Sequence, residues 1–475
     1  MDKCGIKIPD SRKPKLDEGF IPIALFNRSF LASAGTDHPV GIAVEAADGQ
    51  METFRTFIHG SEEMREADCY YIERAVKTLL WMKGGFRIYV CGAGGSAAAE
   101  GGAENANRAI YEHLKKAYAP DGERAFDQEF MGTTYGKDFE VLYVDELPAE
   151  RSNRKRLGGH MEGCRIGFDA GGSDRKVSAV IDGESVFSEE TVWHPKTNSD
   201  PAYHYEGITD ALRTAASHMP RVDAVGVSTA GIVINNRIMQ ASLFNIVPRE
   251  LWKEQVNDIY TGAVHELFGD IPVEVANDGD VSAVAGVMSI GEPGVLGIAM
   301  GTSEAGGFVD GDGCITGWLN EIAFMPVDCS EGGTLDEWSG DIGCGVKYFS
   351  QDAVNKLAPR AGIDLDEALT PAEKLKVVQG LMEKGDERAS EVYESIGVYL
   401  GHTIPFYHDL YGMRHVLLLG RVMSGKGGDL ILKTAKEILE REYPELAGRV
   451  NVQLPDEKFR RVGQSAAAAG LPELG

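Results

Sequence analysis

The chain has 475 residues, 43% of them apolar and 8% aromatic, with a formal charge of -26 at pH 7. That length exceeds one ordinary hydrophobic core and asks for two or three structural units, while the lack of any apolar run near 20 residues argues against a membrane span. The acidic balance argues against a nucleic-acid partner.

Seven scattered cysteines without a CxxC pair fit reduced thiols better than a disulfide framework. The opening MDKCGIKIPDSRKPKLDEGF lacks an apolar stretch of signal-peptide length, so a cytoplasmic location is expected.

In chain order, residues 1–37 lack clear periodicity and read as an irregular arm. From His38, two alternating runs flank Asp48-Gly49, the signature of a hairpin. A helix through Ile72, Val76, Leu79 and Leu80 is expected next, then the strand FRIYVCG, the small-residue stretch CGAGGSAAAEGGAENA, another helix and the strand EVLYVDEL. The polar linker near 149–163 contains the only compact basic cluster, Arg151, Arg154, Lys155 and Arg156, which reads as a solvated face. From Cys164 the order of hairpin, helix, strand and Gly-rich turn returns more clearly. This leaves open whether the region at 38–150 is a degenerate copy or an unrelated appended lobe. Helices are then expected near 202–218, 248–268, 280–288, 371–411 and 428–441, with strands PVEVAND, GVLGIAMG, GGFVDG and HVLLLG between them, which is the alternation of layered α/β domains.

Two turns are candidates for holding phosphate. Asp169 ends one strand before Gly171, Gly172 and Ser173, and a second small-residue turn runs from Gly301 through Thr302 and Ser303 to Gly307. Turns without bulky side chains let backbone N–H groups approach phosphate oxygens, and a carboxylate beside them can hold a hydrated Mg²⁺. Between them, Asn277-Asp278 falls where a strand becomes a helix. A carboxylate there can take a proton from an attacking alcohol, and the plainer reading is a helix N-cap.

In this order the segments resemble the ROK family of bacterial repressors, open-reading-frame products and sugar kinases. DAGGSDRK matches the first phosphate loop, VGVSTAGIV the mid-domain strand and turn, AND the catalytic site, GTSEAGG the second phosphate loop and VLLLGRVMSGKG the adenosine segment, while GQSAAAAG looks like the closing helix. The resemblance spans about 164–470. It implies an α/β, actin-like, hexokinase-type (ribonuclease H-like) two-lobed ATPase fold, with lobes at 164–275 and 276–475 following the additional α/β region at 38–150. It implies ATP and Mg²⁺ as cofactors and a sugar as the small-molecule substrate; the expected assembly is a homodimer. Asp278 would be the general base, with Asn277, Asn245, Glu321 and Asp336 binding the sugar. Asp169 would hold Mg²⁺ through water, and Gly171, Gly172, Ser173, Gly301, Thr302, Ser303 and Gly420 would lie along the nucleotide.

The chain departs from the family pattern at several points. Phe324 stands where the family places a histidine that contacts sugar and zinc. Of the zinc cysteines only Cys329 is present, with Val327 and Thr334 in the other positions, so no structural zinc is expected. Glu337 adjoins Asp336 as a rival sugar ligand. Glu304 enters the second phosphate loop, where an outward carboxylate would repel phosphate, and Arg421 follows Gly420 where a glycine is usual. The expected activity is ATP-dependent phosphorylation of a sugar hydroxyl. The alternative is a non-catalytic sugar sensor, without a DNA-binding helix-turn-helix because residues 38–150 carry no basic recognition helix.

Overall fold

A computed structural model describes residues 1–91 and 102–474; most of the expected small-residue stretch after Cys91 lies outside them. The N-terminal part comprises β1 (Asp2–Lys3), β2 (Ile6–Lys7), α1 (Ile23–Ala34), β3 (His38–Glu45), β4 (Met51–Ile58), α2 (Arg65–Lys83), β5 (Arg87–Cys91), α3 (Gly102–Ala117), α4 (Ala125–Tyr135) and β6 (Glu140–Val144). The lead-in expected to be irregular thus contains a twelve-residue helix. Its Ile23, Phe26 and Phe30 follow helical spacing and are buried.

The next unit comprises β7 (Cys164–Ala170), β8 (Asp174–Ile181), β9 (Glu184–Val192), α5 (Pro201–Ala216), β10 (Ala224–Thr229), the short hairpin β11 (Ile232–Ile234) and β12 (Arg237–Gln240), α6 (Ile259–Phe268) and β13 (Val273–Asn277). The last comprises α7 (Asp278–Ile290), β14 (Val295–Met300), β15 (Glu304–Val309), α8 (Gln351–Arg360), α9 (Pro371–Glu383), α10 (Glu387–Tyr411), β16 (His415–Leu419), α11 (Gly425–Glu442), α12 (Pro444–Ala447), β17 (Asn451–Gln453) and α13 (Glu457–Ala469).

Three sheets organise these elements, in the orders β4-β3-β5-β6, β13-β10-β7-β8-β9 and β15-β14-β16-β17. In the second and third, the strand after the helical crossover runs parallel to the first strand of its unit, as β10 does to β7 and β16 to β14. In the N-terminal sheet the corresponding strand β5 is antiparallel to β3. The two units therefore share an element order but not a sheet topology.

The helix expected across 248–268 is broken. Residues 249–256 form 3₁₀ and π turns, and only α6 is α-helical. The cause is Asn257, whose carbonyl accepts from the Ile238 amide at 2.9 Å and whose side chain returns to the Ile238 carbonyl at 2.5 Å. This ties the backbone to β12 at the expense of a regular ladder. Helix α13 lies directly on β7 and β10: a side chain at Gly167 or Gly226 would run into the carbonyls of Ser465 and Ala468.

Candidate active site

β7, β10 and β13 are parallel, so their carboxyl ends share one edge. Asp169 is in register with Ser228, and Thr229 with Asn277. β14 and β16 are likewise parallel, with Ala299 opposite Leu419, which brings Gly301 and Gly420 to one edge of the other sheet. Ligands of open α/β sheets bind beyond such carboxyl ends.

A cleft of about 1110 Å³ opens there. Asn277 and Asp278 lie in its wall beside Thr302 and Ser303, with Asn245, Glu321 and Asp336 also lining it. Gly171, Gly172, Ser173, Gly301 and Gly420 are not in that wall. Gly171–Ser173 occupy the β7–β8 turn next to Asp169, where the Trp193 indole N–H donates to the Gly171 carbonyl at 2.8 Å. Gly420 lines a separate cavity of about 470 Å³ with Met423, Ser424 and Gly425, on the segment that resembles the adenosine site.

Asp278 is the first residue of α7, and its Oδ1 accepts from the Gly279 amide at 3.0 Å. Burial raises its pKa above the usual carboxylate range, against the lowering effect of that amide. Asp169 is pushed up to about 6 by burial, opposed by the Ser228 hydroxyl that donates to its Oδ1 at 2.8 Å and reinforced by the charge of Asp278. Glu321 rises to about 7 through burial and the charges of Asp278 and Asp280. Two expected ligands already have structural work. Asn277 caps α7 by accepting from the Gly279 amide at 2.7 Å, and its Nδ2 donates to the Gly231 carbonyl at 2.8 Å. The Asp336 carboxylate closes its own turn, accepting from the Ser339 amide at 2.9 Å and hydroxyl at 2.5 Å. Its neighbour Glu337 accepts from Lys347 at 2.5 Å.

Glu304 turns inward: it is 2% exposed and accepts from the Tyr407 hydroxyl at 3.2 Å. Burial pushes it up to about 8, so it is largely neutral at pH 7 and brings little repulsion to the adjoining turn. Cys329 and Cys344 are buried, their thiols pushed up to about 12 by desolvation, which makes them poor nucleophiles.

Sequence reasoning missed the N-terminal contribution. Phe130 and Thr133 of α4 line the cleft, as do Arg249, Trp252, Trp338 and Lys347. Phe324 stacks on Trp81 of α2 at 4.2 Å between ring centroids, and Trp81 also meets Phe130 at 4.9 Å. No local motif marks α4, because only tertiary packing carries it to this wall.

This architecture defines a two-lobed α/β protein of the actin-like, hexokinase-type fold, carrying an extra α/β unit. The ROK family model matches residues 165–470, and the chain belongs to that family. Among solved structures, a ROK family transcriptional regulator described as a homologue of the E. coli MLC protein is 17% identical, covering 66% of this chain and 78% of its own, with a TM-score of 0.53. The ROK hexokinase from Thermus thermophilus is 19% identical over 64% of this chain and 97% of its own, with a TM-score of 0.50. A ROK family glucokinase from Streptomyces griseus, in complex with glucose and AMPPNP, is 21% identical over 65% and 98% of the respective chains, with a TM-score of 0.46. No curated protein matches in sequence.

Proposed function

We propose that the chain transfers the terminal phosphoryl group of ATP to a hydroxyl of a sugar held in the cleft. The observation that carries this reading is the position of Asp278: at the start of α7, in the wall shared with Thr302 and Ser303, with a raised proton affinity. In the proposed step the sugar hydroxyl gives its proton to the Asp278 carboxylate as its oxygen bonds to the terminal phosphorus. The bond from that phosphorus to the bridging oxygen breaks and ADP leaves. A base of raised affinity holds the proton better than an ordinary surface carboxylate.

Asn245 and Glu321 are proposed to orient the sugar, with the remaining donor and acceptor capacity of Asn277 and Asp336. Positioning of this kind supplies much of the rate in phosphoryl transfer. The turns at 171–173 and 301–303, with Gly420, are assigned to the nucleotide. Asp169 uses Oδ1 for Ser228 and has a second oxygen for an outer ligand, and its raised proton affinity is what a neighbouring cation would reverse. The donor set fits a hydrated magnesium ion, which when bound would neutralise charge on the phosphoryl oxygens.

The test is ADP release from MgATP across hexoses, amino sugars and short oligosaccharides. Turnover with at least one is expected, and Asp278→Asn should lower kcat by about 10²–10⁴-fold. Sugar binding without turnover or ATP binding would instead establish a sensor.

A further inference from the structure

The cleft has a wall that no part of residues 164–475 could build alone. Helix α4 presents Phe130 and Thr133 to it. Phe130 belongs to a four-ring cluster with Trp81, Phe126 and Phe324, whose centroid separations run from 4.2 to 6.1 Å. Phe324 faces the same cleft, fixed by that cluster. Trp252 also lines the cleft and carries the Arg249 guanidinium over its ring at 3.9 Å. Trp338 lines the same cleft and is 76% exposed, so its ring face is open to a ligand. The cleft volume of about 1110 Å³ exceeds the roughly 300–1,000 Å³ that takes drug-sized ligands, more than a single pyranose needs even beside a terminal phosphate.

We infer that the cleft binds an uncharged carbohydrate of two rings, the distal ring stacked among Phe130, Phe324 and Trp338, so that the N-terminal unit determines specificity. This rests on the reading of the cleft as a sugar site. The apolar C–H face of a pyranose lies flat on an aromatic ring, and several rings lining one cleft offer a place for a second such face. The lining carries more carboxylates than cations, the cations being Arg249, stacked on Trp252, and Lys347, and this disfavours an acidic sugar. Asp278, Glu321, Glu337 and Asp352 all line the cleft, and Lys347 is already held by Glu337 and Asp352 at 2.5 and 2.8 Å.

The experiment uses the full chain with MgATP and matched sugars: glucose with maltose and cellobiose, N-acetylglucosamine with diacetylchitobiose, and galactose with lactose and melibiose. ADP release gives kcat/KM, and calorimetry gives Kd. At least one disaccharide should exceed both of its constituent monosaccharides by about tenfold or more. Trp338→Ala and Phe130→Ala should each cut that ratio about tenfold, and Trp338→Phe should restore most of it. Because Trp338 is exposed, its replacement leaves the fold intact even where Phe130→Ala does not. Monosaccharides used as well as their disaccharides in every pair, or no disaccharide bound at all, overturn the inference while a sugar kinase still stands. Disaccharide binding that depends on Trp338 without phosphoryl transfer removes the kinase reading and leaves the inference in place.

Discussion

Glu304 shows how one side chain reconciles a mismatch between sequence and proposed chemistry. Beside a phosphate-binding turn a carboxylate is unwelcome, yet this one faces Tyr407 in the interior, with Oε2 lacking a partner among the described residues. Its pKa stands at about 8 in the fold, above the 4.5 of a free glutamate. The folded state therefore holds a proton that the unfolded chain releases earlier. The resulting stabilisation is complete below about pH 4.5 and is lost as pH rises to about 8. In Glu304→Gln the group stays neutral throughout, so the variant should gain stability relative to the parent between pH 5 and 8, read as a widening Tm difference in thermal unfolding. A difference independent of pH would contradict the proton assignment. At this scale the strand-end motifs marked Asp278, Asn277, Thr302 and Ser303, which line one cleft, and also Gly171–Ser173, Gly301 and Gly420, which lie outside its wall. What was not legible is how each carboxylate is used. Asp336 closes a turn and Glu304 faces the core because of neighbours far away in sequence.

Among elements, the decisive contact joins α2 to the loop at 320–344. The amides of Asn320 and Glu321 donate to the carbonyls of Met82 and Trp81, each at 2.9 Å, so the loop satisfies carbonyls that a helix end leaves open. Deeper in, three cations (Arg74, Lys77, Arg124) meet three carboxylates (Glu73, Asp127, Asp341) in a buried, electrically balanced group. Burial alone would raise the Asp341 carboxyl, but Arg74, Lys77 and Arg124 together drive it well below the usual range. The same loop carries Asp336, whose amide donates to the Asp341 carbonyl at 2.8 Å. Lys77→Met would leave Asp127 and Asp341 short of a buried cation, a change that costs about 3–5 kcal/mol. Urea unfolding should show that loss, and KM for the sugar should rise because Glu321 and Asp336 lose their support; an unchanged urea midpoint would mean the cluster bears no load. Periodicity revealed most strands and helices, including the hairpin at Asp48-Gly49 and the long helices before and after β16. It could not reveal that charged positions on α2 face inward, because their partners lie about 50 and 260 residues further along the chain.

At the level of the whole molecule, cores rather than sequence boundaries define what moves together. Residues of the N-terminal part such as Ile42 of β3, Trp81 of α2 and Ile88 of β5 belong to one apolar cluster with Leu296, Phe308, Tyr399 and Leu418 of the last unit. The middle unit has a separate core around Phe168, Val227 and Tyr260. The lead-in is fastened to the last unit as well: Arg12 pairs with Glu394 and Glu437, and the Ile23 amide donates to the Val327 carbonyl at 3.1 Å. To the middle unit the N-terminal part offers less, including the bond from Asn235 to Asp48 at 2.7 Å. A shared core loses its apolar contacts as one, so these segments should open as a single cooperative unit. In native-state hydrogen exchange under increasing urea, amides of β3 and β5 should become exposed in the same step as those of β14 and β16, while β7 and β10 open in a step of their own. Earlier exchange of β3 and β5 would show an appended lobe that merely rests on the rest of the molecule. Coincident exchange would mean that the aromatic wall of the cleft belongs to one rigid body with the 301–303 turn, so that any closure of the middle unit acts against that single surface.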